Sequence, residues 1–234
     1  MQGLESILYQ ASVWIVPALI AITLHEAAHG FAALAFGDDT AKRAGRVTLN
    51  PFRHVDPFGT IVLPALLLLM RVPFLFGYAK PVPVNFFRLQ PARLGMILVA
   101  AAGPAMNLVL ALLAAFGMKL VLDSVSNGDG TLTAAWMVDN LRNAAVLNVA
   151  LAVFNMIPIP PLDGGRVAVG LLPRPIAWQL AKLERVGILI VLGVLILLPL
   201  VGQQLGLDLS ISPWLIGRPV EYLLDLISAL AGLE

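Results

Sequence analysis

Two of the three histidines in this 234-residue chain lie four positions apart, as His25 and His29, with Glu26 between them. On a helix, residues four apart lie one turn above each other, so both imidazoles face the same way and can hold one metal ion. The glutamate would lie beside that ion, where it could take a proton from a metal-bound water. The pattern His-Glu-x-x-His on a helix therefore predicts a site for hydrolytic zinc chemistry.

The motif lies inside an apolar run from about Ala11 to Phe36, in a chain of high overall hydrophobicity. Hydrophobic residues make up 59% of the sequence, charged residues 12%, and the mean hydropathy is +0.88. Soluble domains have roughly 45–50% apolar and about 25% charged residues, so the composition predicts an integral membrane protein. Ionisable groups inside a span are costly and are kept mainly where they function. The alternative is a pair of histidines satisfied by neighbouring carbonyl groups.

Charge and cysteine content exclude several other kinds of site. The net charge is +1 and no run of lysines or arginines occurs, so we expect no binding of nucleic acid. The chain has no cysteine, so a metal must be held by nitrogen and oxygen. The N-terminus lacks the positive segment of a cleaved signal peptide, and we expect the first apolar run to be retained as a span.

The apolar runs predict one all-α polytopic membrane domain over residues 1–234, with about five to six transmembrane helices and a three-helix catalytic core. The last predicted segment, 213–233, carries charges at helical spacing, so it is either a final span or an interfacial amphipathic helix. The predicted segments are 8–36, 96–122, 134–156, 176–202 and 213–233.

Residues 45–90, between the first two spans, are expected to form a small membrane-associated region of short strands, turns and a re-entrant hairpin. Its stretches 46–57 and 78–87 are rich in β-formers, prolines and asparagines. The apolar stretch 60–76 is short for a span and is interrupted by Pro64, Arg71 and Pro73. It therefore favours a hairpin that enters and leaves on one face, with a true span as the competing interpretation.

Basic residues indicate the orientation. Lys42, Arg43, Arg46 and Arg53 follow the first span, and loops of this kind lie on the cytoplasmic side. We therefore expect a multi-pass membrane protein with the N-terminus outside and the site toward the cytoplasm.

Two later motifs place polar residues near span ends. Gly103 and Asn107 open one span, where a small residue permits close packing and the amide needs a partner. Asp163 follows a turn too rich in proline to be helical. Taken alone, Asp163 is more readily explained as a helix N-cap than as a metal ligand. If stretch 60–76 does not cross the membrane, however, all three motifs fall at one depth, which favours a ligand.

Three motifs, HEAAHG, AAGPAMN and NMIPIPPLDGGR, together resemble the site-2 protease family of intramembrane zinc metalloproteases. They occur in the family's order, and the resemblance extends from about Ile20 to Val169. The segments GRVTLNPFRHVDPFGT and AKPVPVNFFRL resemble the compact branch of that family, which lacks PDZ and CBS domains. No such domain would fit between the predicted spans.

The resemblance implies a role for each matching residue. One zinc ion per chain would be bound by the side chains of His25, His29 and Asp163, and Glu26 would be the catalytic base. Asn155 would bind the substrate backbone or the developing oxyanion, and Asn107 would do the same or merely join helices. The remaining histidine, His54, is better explained by packing within its loop than by metal binding.

The leading functional prediction is an intramembrane metalloprotease that cuts within or next to transmembrane segments of protein or peptide substrates, near the cytoplasmic side of the bilayer. The alternative is a metal transporter or channel that uses the buried histidines and aspartate as transit sites. A transporter would not specifically need Glu26, so this residue separates the two. An inert binding protein is a third possibility, which no feature of the sequence supports. The sequence does not predict the oligomeric state.

Overall fold

The computed structural model describes residues 2–62, 66, 80–125 and 131–233. The regular structure in this part of the chain is helical, with no strand. Its helices are α1 (Gln2–Ala35), α2 (Thr40–Arg43), α3 (Ala92–Val125), α4 (Leu132–Asn155), α5 (Asp163–Leu171), α6 (Arg174–Ala181), α7 (Gly187–Gln204) and α8 (Arg218–Ala231).

Four of the described helices are long and apolar enough to cross a membrane. They are Leu8–Ala35 of α1, and the whole of α3, α4 and α7. The protein is thus an all-α polytopic membrane protein, as the sequence predicts. The larger count of five to six spans stays a prediction.

The span expected over 176–202 is interrupted near its start. A short helix, α6, is followed by a 3-10 turn over Lys182–Arg185, and the apolar helix α7 begins only at Gly187. Three of the four residues in that turn are charged, which explains why they lie outside the apolar helix. The span is therefore shorter than predicted.

Helices α1 and α3 pack together where α1 ends and α3 begins. Ala33, Leu89 and Val99 form a buried cluster there, and the Gln90 N–H donates to the Phe36 carbonyl at 2.9 Å. The connection between α1 and α3 therefore begins and ends at the same end of the bundle, which we call the site end. The hairpin predicted over 60–76 lies outside the described residues, except for 60–62 and 66.

The expected turns are present in the described residues of 46–57 and 80–87, which form bends, extended chain and the 3-10 turns Pro51–Arg53 and Phe86–Arg88, but the short strands expected there are not. We call residues 80–85 the strap. Pro81 and Pro83 lack the N–H that a ladder needs. The N–H groups of Lys80, Val82 and Asn85 donate to a carbonyl and to two carboxylates of other segments. Three of the four N–H groups in the strap are therefore bonded to other segments and not to a neighbouring strand.

The turn between α4 and α5 is packed directly on the glycines that follow Asp163. A Cβ at residue 164 or 165 would overlap the backbone of Met156 or Pro160. Arg93 of α3 adds a second tie, since its guanidinium donates to the carbonyls of Gly170 (3.0 Å) and Leu172 (2.6 Å) at the end of α5. The glycines thus fix the start of α5 against the turn, and Arg93 fixes the end of α5 to the site end of α3.

Helix α8 packs along the bundle. Ile227 and Ala231 share a buried cluster with Ala111 and Ala115 of α3 and Val149 of α4. The preceding π-helical turn, Pro213–Gly217, places Leu215 and Ile216 against a cluster around Ile157, near the site end of α4. Gly232 lies near Lys119, toward the far end of α3. Helix α8 is not among the four described helices long and apolar enough to cross a membrane, so the choice between a span and an interfacial helix stays open.

Candidate metal centre

Three potential ligand atoms converge at the site end of the bundle. The Nε2 atoms of His25 and His29 are 3.1 Å apart, and each lies 3.3 Å from Oδ2 of Asp163. Each of the three residues is 8% exposed. Among the described residues, these three side chains make a group of histidines and a carboxylate that lie close enough together to share one metal ion. The predicted N-cap role of Asp163 is not observed, because Leu162 holds the cap position and Asp163 begins the helix.

The other ring nitrogen of each histidine faces an acceptor. His29 Nδ1 lies 2.7 Å from the Val99 carbonyl oxygen, and His25 Nδ1 lies 2.6 Å from Oδ1 of Asn107. A carbonyl oxygen can only accept, so both Nδ1 atoms carry the proton and both Nε2 atoms present a lone pair. Two such nitrogens and a carboxylate oxygen repel one another unless a cation lies between them.

The donor set fits zinc. Four tetrahedral ligands about 2.0 Å from a zinc ion lie about 3.3 Å from one another, close to the separations observed here. Nitrogen and carboxylate oxygen are also the ligands available to a chain without cysteine. Three protein ligands leave one position of a tetrahedral ion open, as in catalytic zinc sites.

Gly103 provides the space in which the imidazoles lie. A Cβ at this residue would overlap His29 Nε2 and would lie 2.6 Å from His25 Nε2. The sequence favours close helix packing as the reason for this glycine. The structure gives a more specific reason, since the missing side chain makes room for the two histidines.

Glu26 lies one residue after His25 and is held by the strap. Its Oε2 accepts the Val82 N–H at 2.7 Å. The strap is anchored again at Asp38, which accepts the Asn85 N–H at 2.6 Å. Glu26 therefore has a defined orientation beside the histidines.

The Asp38 anchor is a buried carboxylate. Burial raises the pKa of this carboxyl, but hydrogen bonds from Thr40 and Asn85, together with the nearby Arg88, outweigh burial and hold the pKa below its usual range. Asp38 is therefore charged at neutral pH, which strengthens its hold on the strap.

Asn107 is fully buried, and its amide is engaged with protein groups. Besides the contact to His25, its Nδ2 donates to Oδ1 of Asn148 at 2.7 Å and faces the Ala21 carbonyl at 3.4 Å. The predicted contact with substrate has no support in these bonds, which join three helices. Sequence analysis missed Asn148, although a polar residue in the inner half of a span needs a partner, as Asn107 does.

The two other polar candidates each contact a main-chain carbonyl. Asn155, at the end of α4, is half-buried and donates to the Leu151 carbonyl at 3.0 Å, so its substrate-binding role stays a prediction. His54 is 1% exposed, and its Nε2 lies 3.0 Å from the Thr48 carbonyl oxygen. Packing of His54 within its loop agrees with the interpretation that the sequence favours.

Together, a helical membrane bundle and a buried His-Glu-x-x-His site joined by an aspartate define a membrane-bound zinc metalloprotease. Comparison with known proteins gives the family. The sequence model of Peptidase family M50 matches residues 120–200.

Several curated proteins are similar to this chain. It is 39% identical over 194 residues to "Putative zinc metalloprotease YwhC" of Bacillus subtilis, covering 80% of each chain. It is 34% identical over 146 residues to "Putative zinc metalloprotease Rip2" of Mycobacterium tuberculosis, covering 62% of this chain and 52% of the relative. The Mycolicibacterium smegmatis protein of the same name is 31% identical over 179 residues, 76% of this chain and 64% of that one. No solved structure matches the chain.

The chain therefore belongs to peptidase family M50, the site-2 proteases.

Proposed function

We propose that this protein is an intramembrane protease that cuts peptide bonds within or next to transmembrane segments of membrane protein substrates. His25, His29 and Asp163 would hold one zinc ion per chain, and Glu26 would be the catalytic base. The observation that carries the proposal is the convergence of two imidazole nitrogens and a carboxylate oxygen within 3.3 Å of one another, with Glu26 beside them.

Bound zinc would polarise the scissile carbonyl and acidify a water molecule. The residues of this chain would do the rest. Glu26 would accept the proton of the attacking water and transfer it to the leaving amine. The Val82 N–H would hold the Glu26 carboxylate in place during this transfer, since a donor to a charged acceptor makes a strong bond.

The depth of the site supports a membrane-embedded substrate. His25 and His29 lie in the second half of the span Leu8–Ala35, about 9 to 15 Å from its end at the helical rise of 1.5 Å per residue. A substrate helix has its carbonyls bonded internally, so it must unwind locally before cleavage.

The basic residues after α1 support the proposed orientation. They would place the site end toward the cytoplasm of a prokaryotic cell and the N-terminus outside. Cleavage would then occur near the cytoplasmic side of the bilayer.

Glu26→Gln tests the proposal. The change keeps the shape of the side chain and removes the base, so cleavage of a transmembrane peptide in proteoliposomes should fall about 10²- to 10⁴-fold. The zinc content, measured by mass spectrometry of the same preparation, should be unchanged. Cleavage at the wild-type rate by zinc-loaded Glu26→Gln would contradict the proposal.

The same variant addresses the transporter alternative, which the comparisons do not favour. A transporter would keep zinc flux across the vesicle membrane in Glu26→Gln, because its transit ligands remain. We expect no such flux in either protein.

A further inference from the structure

A chain of side-chain amides leads from α4 through α3 to the imidazole of His25. Asn148 Nδ2 donates to the Ala144 carbonyl at 2.8 Å, and Asn148 Oδ1 accepts from Asn107 Nδ2 at 2.7 Å. Asn107 Oδ1 then lies 2.6 Å from His25 Nδ1. Asn107 and Asn148 are 0% and 2% exposed, so water does not compete for these bonds.

The direction of every bond in this chain follows from its far end. The Ala144 carbonyl can only accept, so the NH₂ group of Asn148 faces it and the amide oxygen faces Asn107. Asn107 must therefore present its NH₂ group to Asn148, and the carbonyl of Ala21 on its other flank requires the same. The Asn107 oxygen is left to face His25, whose Nδ1 must carry the proton.

This proton decides whether His25 can bind a metal. With Nδ1 protonated, the neutral ring has its lone pair on Nε2, the atom that faces His29 and Asp163. If the Asn107 amide were flipped, Nδ1 would have to accept, and Nε2 would carry the proton and could not bind metal.

His29 does not depend on a side chain in this way. Its Nδ1 donates to the Val99 main-chain carbonyl, which lies in α3 and cannot rotate. The two metal-binding histidines thus differ in how their protonation is fixed, and only His25 depends on a rotatable amide.

We propose that Asn148 is a positioning residue of the metal centre, which fixes the orientation of Asn107 and, through it, the tautomer of His25. This inference rests on the proposed function, in which His25 holds zinc. Asn148 lies two hydrogen bonds away from the His25 ring and touches neither metal nor substrate.

Zinc affinity, measured by chelator competition on the full-length protein in detergent, tests this role. Asn148→Leu keeps the approximate volume and removes both hydrogen bonds, so only the longer 3.4 Å contact to the Ala21 carbonyl still opposes a flip of Asn107. Loss of such an outer partner of a zinc ligand weakens binding about 10- to 100-fold, which we expect here. Asn148→Asp keeps an acceptor for Asn107 and should lose less affinity than Asn148→Leu.

Asn143→Leu is the matched control. Asn143 is also on α4, and its Nδ2 donates to the Val13 carbonyl of α1 at 3.0 Å, so the variant removes a helix–helix hydrogen bond outside the amide chain. It should keep wild-type zinc affinity. Any of three results would overturn the proposal. Zinc affinity could fall equally in Asn143→Leu and Asn148→Leu, it could be unchanged in Asn148→Leu, or it could fall as far in Asn148→Asp as in Asn148→Leu.

Imidazole ¹⁵N spectra distinguish failure of this proposal from failure of the proposed function. The chain has three histidines, so the spectrum of metal-free protein above the histidine titration range contains three rings. His25 Nδ1 should be protonated in the wild type and not in Asn148→Leu, whereas His29 should be the same in both. If His25 Nδ1 is still protonated in Asn148→Leu, the proposal is overturned whatever the zinc affinity of that variant. If His25 changes as expected but the wild type binds no zinc, the proposed function is contradicted. The control of the His25 tautomer by Asn148 then still holds.

Discussion

At the scale of single residues, the metal centre depends on one position without a side chain. Gly103 faces both imidazoles, and no rotation of a helical alanine could move its Cβ away from them. Gly103→Ala should therefore displace the histidines and lower zinc content strongly in protein that still elutes as a folded species. The measurement is metal analysis after size-exclusion chromatography.

Gly117→Ala is the control for that prediction, since it adds the same methyl group to the same helix. Its Cβ would lie 3.3 Å from the flexible side chain of Leu141, which can give way. This variant should bind zinc as the wild type does. Full zinc binding by Gly103→Ala would show that the histidines do not occupy the space that we assign to them.

The sequence was informative about residues wherever the spacing was local. His25, Glu26 and His29 are predictable because the helical repeat alone brings them together. Asp163 lies far along the chain, and its assignment needed the argument from membrane depth and the resemblance. Asn148 was missed because its partner lies on another helix, at a distance in sequence that no periodicity shows.

At the scale of elements, the strap links the active-site glutamate to the rest of the fold. It is fixed at Glu26, at Asp38 and, through the Lys80 N–H, at the His54 carbonyl. Propensity predicted strands here because the stretch 78–87, which contains the strap, is rich in valine and phenylalanine. That prediction failed because the partners of its N–H groups are distant side chains and a loop carbonyl, which a local pattern does not reveal.

Val82→Pro tests the contact between the strap and Glu26. Proline lacks the N–H that Glu26 accepts, whereas Val82→Ala keeps it and removes only side-chain contacts. A hydrogen bond to a charged group contributes about 1.5–3 kcal/mol, so kcat should fall roughly 10- to 100-fold in Val82→Pro. Zinc content should not change.

Val82→Ala should retain most of the cleavage rate, measured on the same transmembrane peptide. Equal loss of kcat in Val82→Ala and Val82→Pro would indicate that the packing of the strap matters and that its N–H does not. Zinc loss in Val82→Pro would place the strap in the metal site rather than beside it.

At the scale of the whole molecule, the structure divides the chain between two ends of one bundle. The ends of α1 and α4 and the starts of α3 and α5 lie at the site end. The start of α1, the end of α3 and the start of α4 lie at the other end, where the Tyr9 hydroxyl donates to Asp139 at 2.7 Å. This arrangement matches the order of crossings inferred from charge and hydropathy.

The absence of cysteine makes this topology directly measurable, because each introduced thiol is unique. Gly3→Cys and Thr131→Cys replace exposed residues at the far end, and Arg53→Cys and Arg174→Cys replace exposed residues at the site end. We expect a membrane-impermeant thiol reagent to label the first pair in intact cells and the second pair only after permeabilisation. The reverse pattern would contradict the proposed orientation, and mixed labelling within a pair would contradict the bundle.

Overall class and the main spans were predictable from sequence because hydrophobicity reports the bilayer directly. The short helix α6, at the start of the segment 176–202, was not, because hydrophobicity does not report the charged turn that separates it from α7. The packing of α8 was also open, since its three charged residues suit an interface as well as a partly polar helix held against other helices.

The central claim is that α1 and α5 bring two histidines and one aspartate to a single zinc ion. Its most direct test is the zinc content of detergent-purified wild type and Asp163→Ala, with Asp208→Ala, an exposed loop carboxylate, as the control. We predict about one zinc per chain in the wild type and in Asp208→Ala, and a sharp fall in Asp163→Ala with its elution profile unchanged. Zinc retained in full by Asp163→Ala would contradict the account and require a different third ligand.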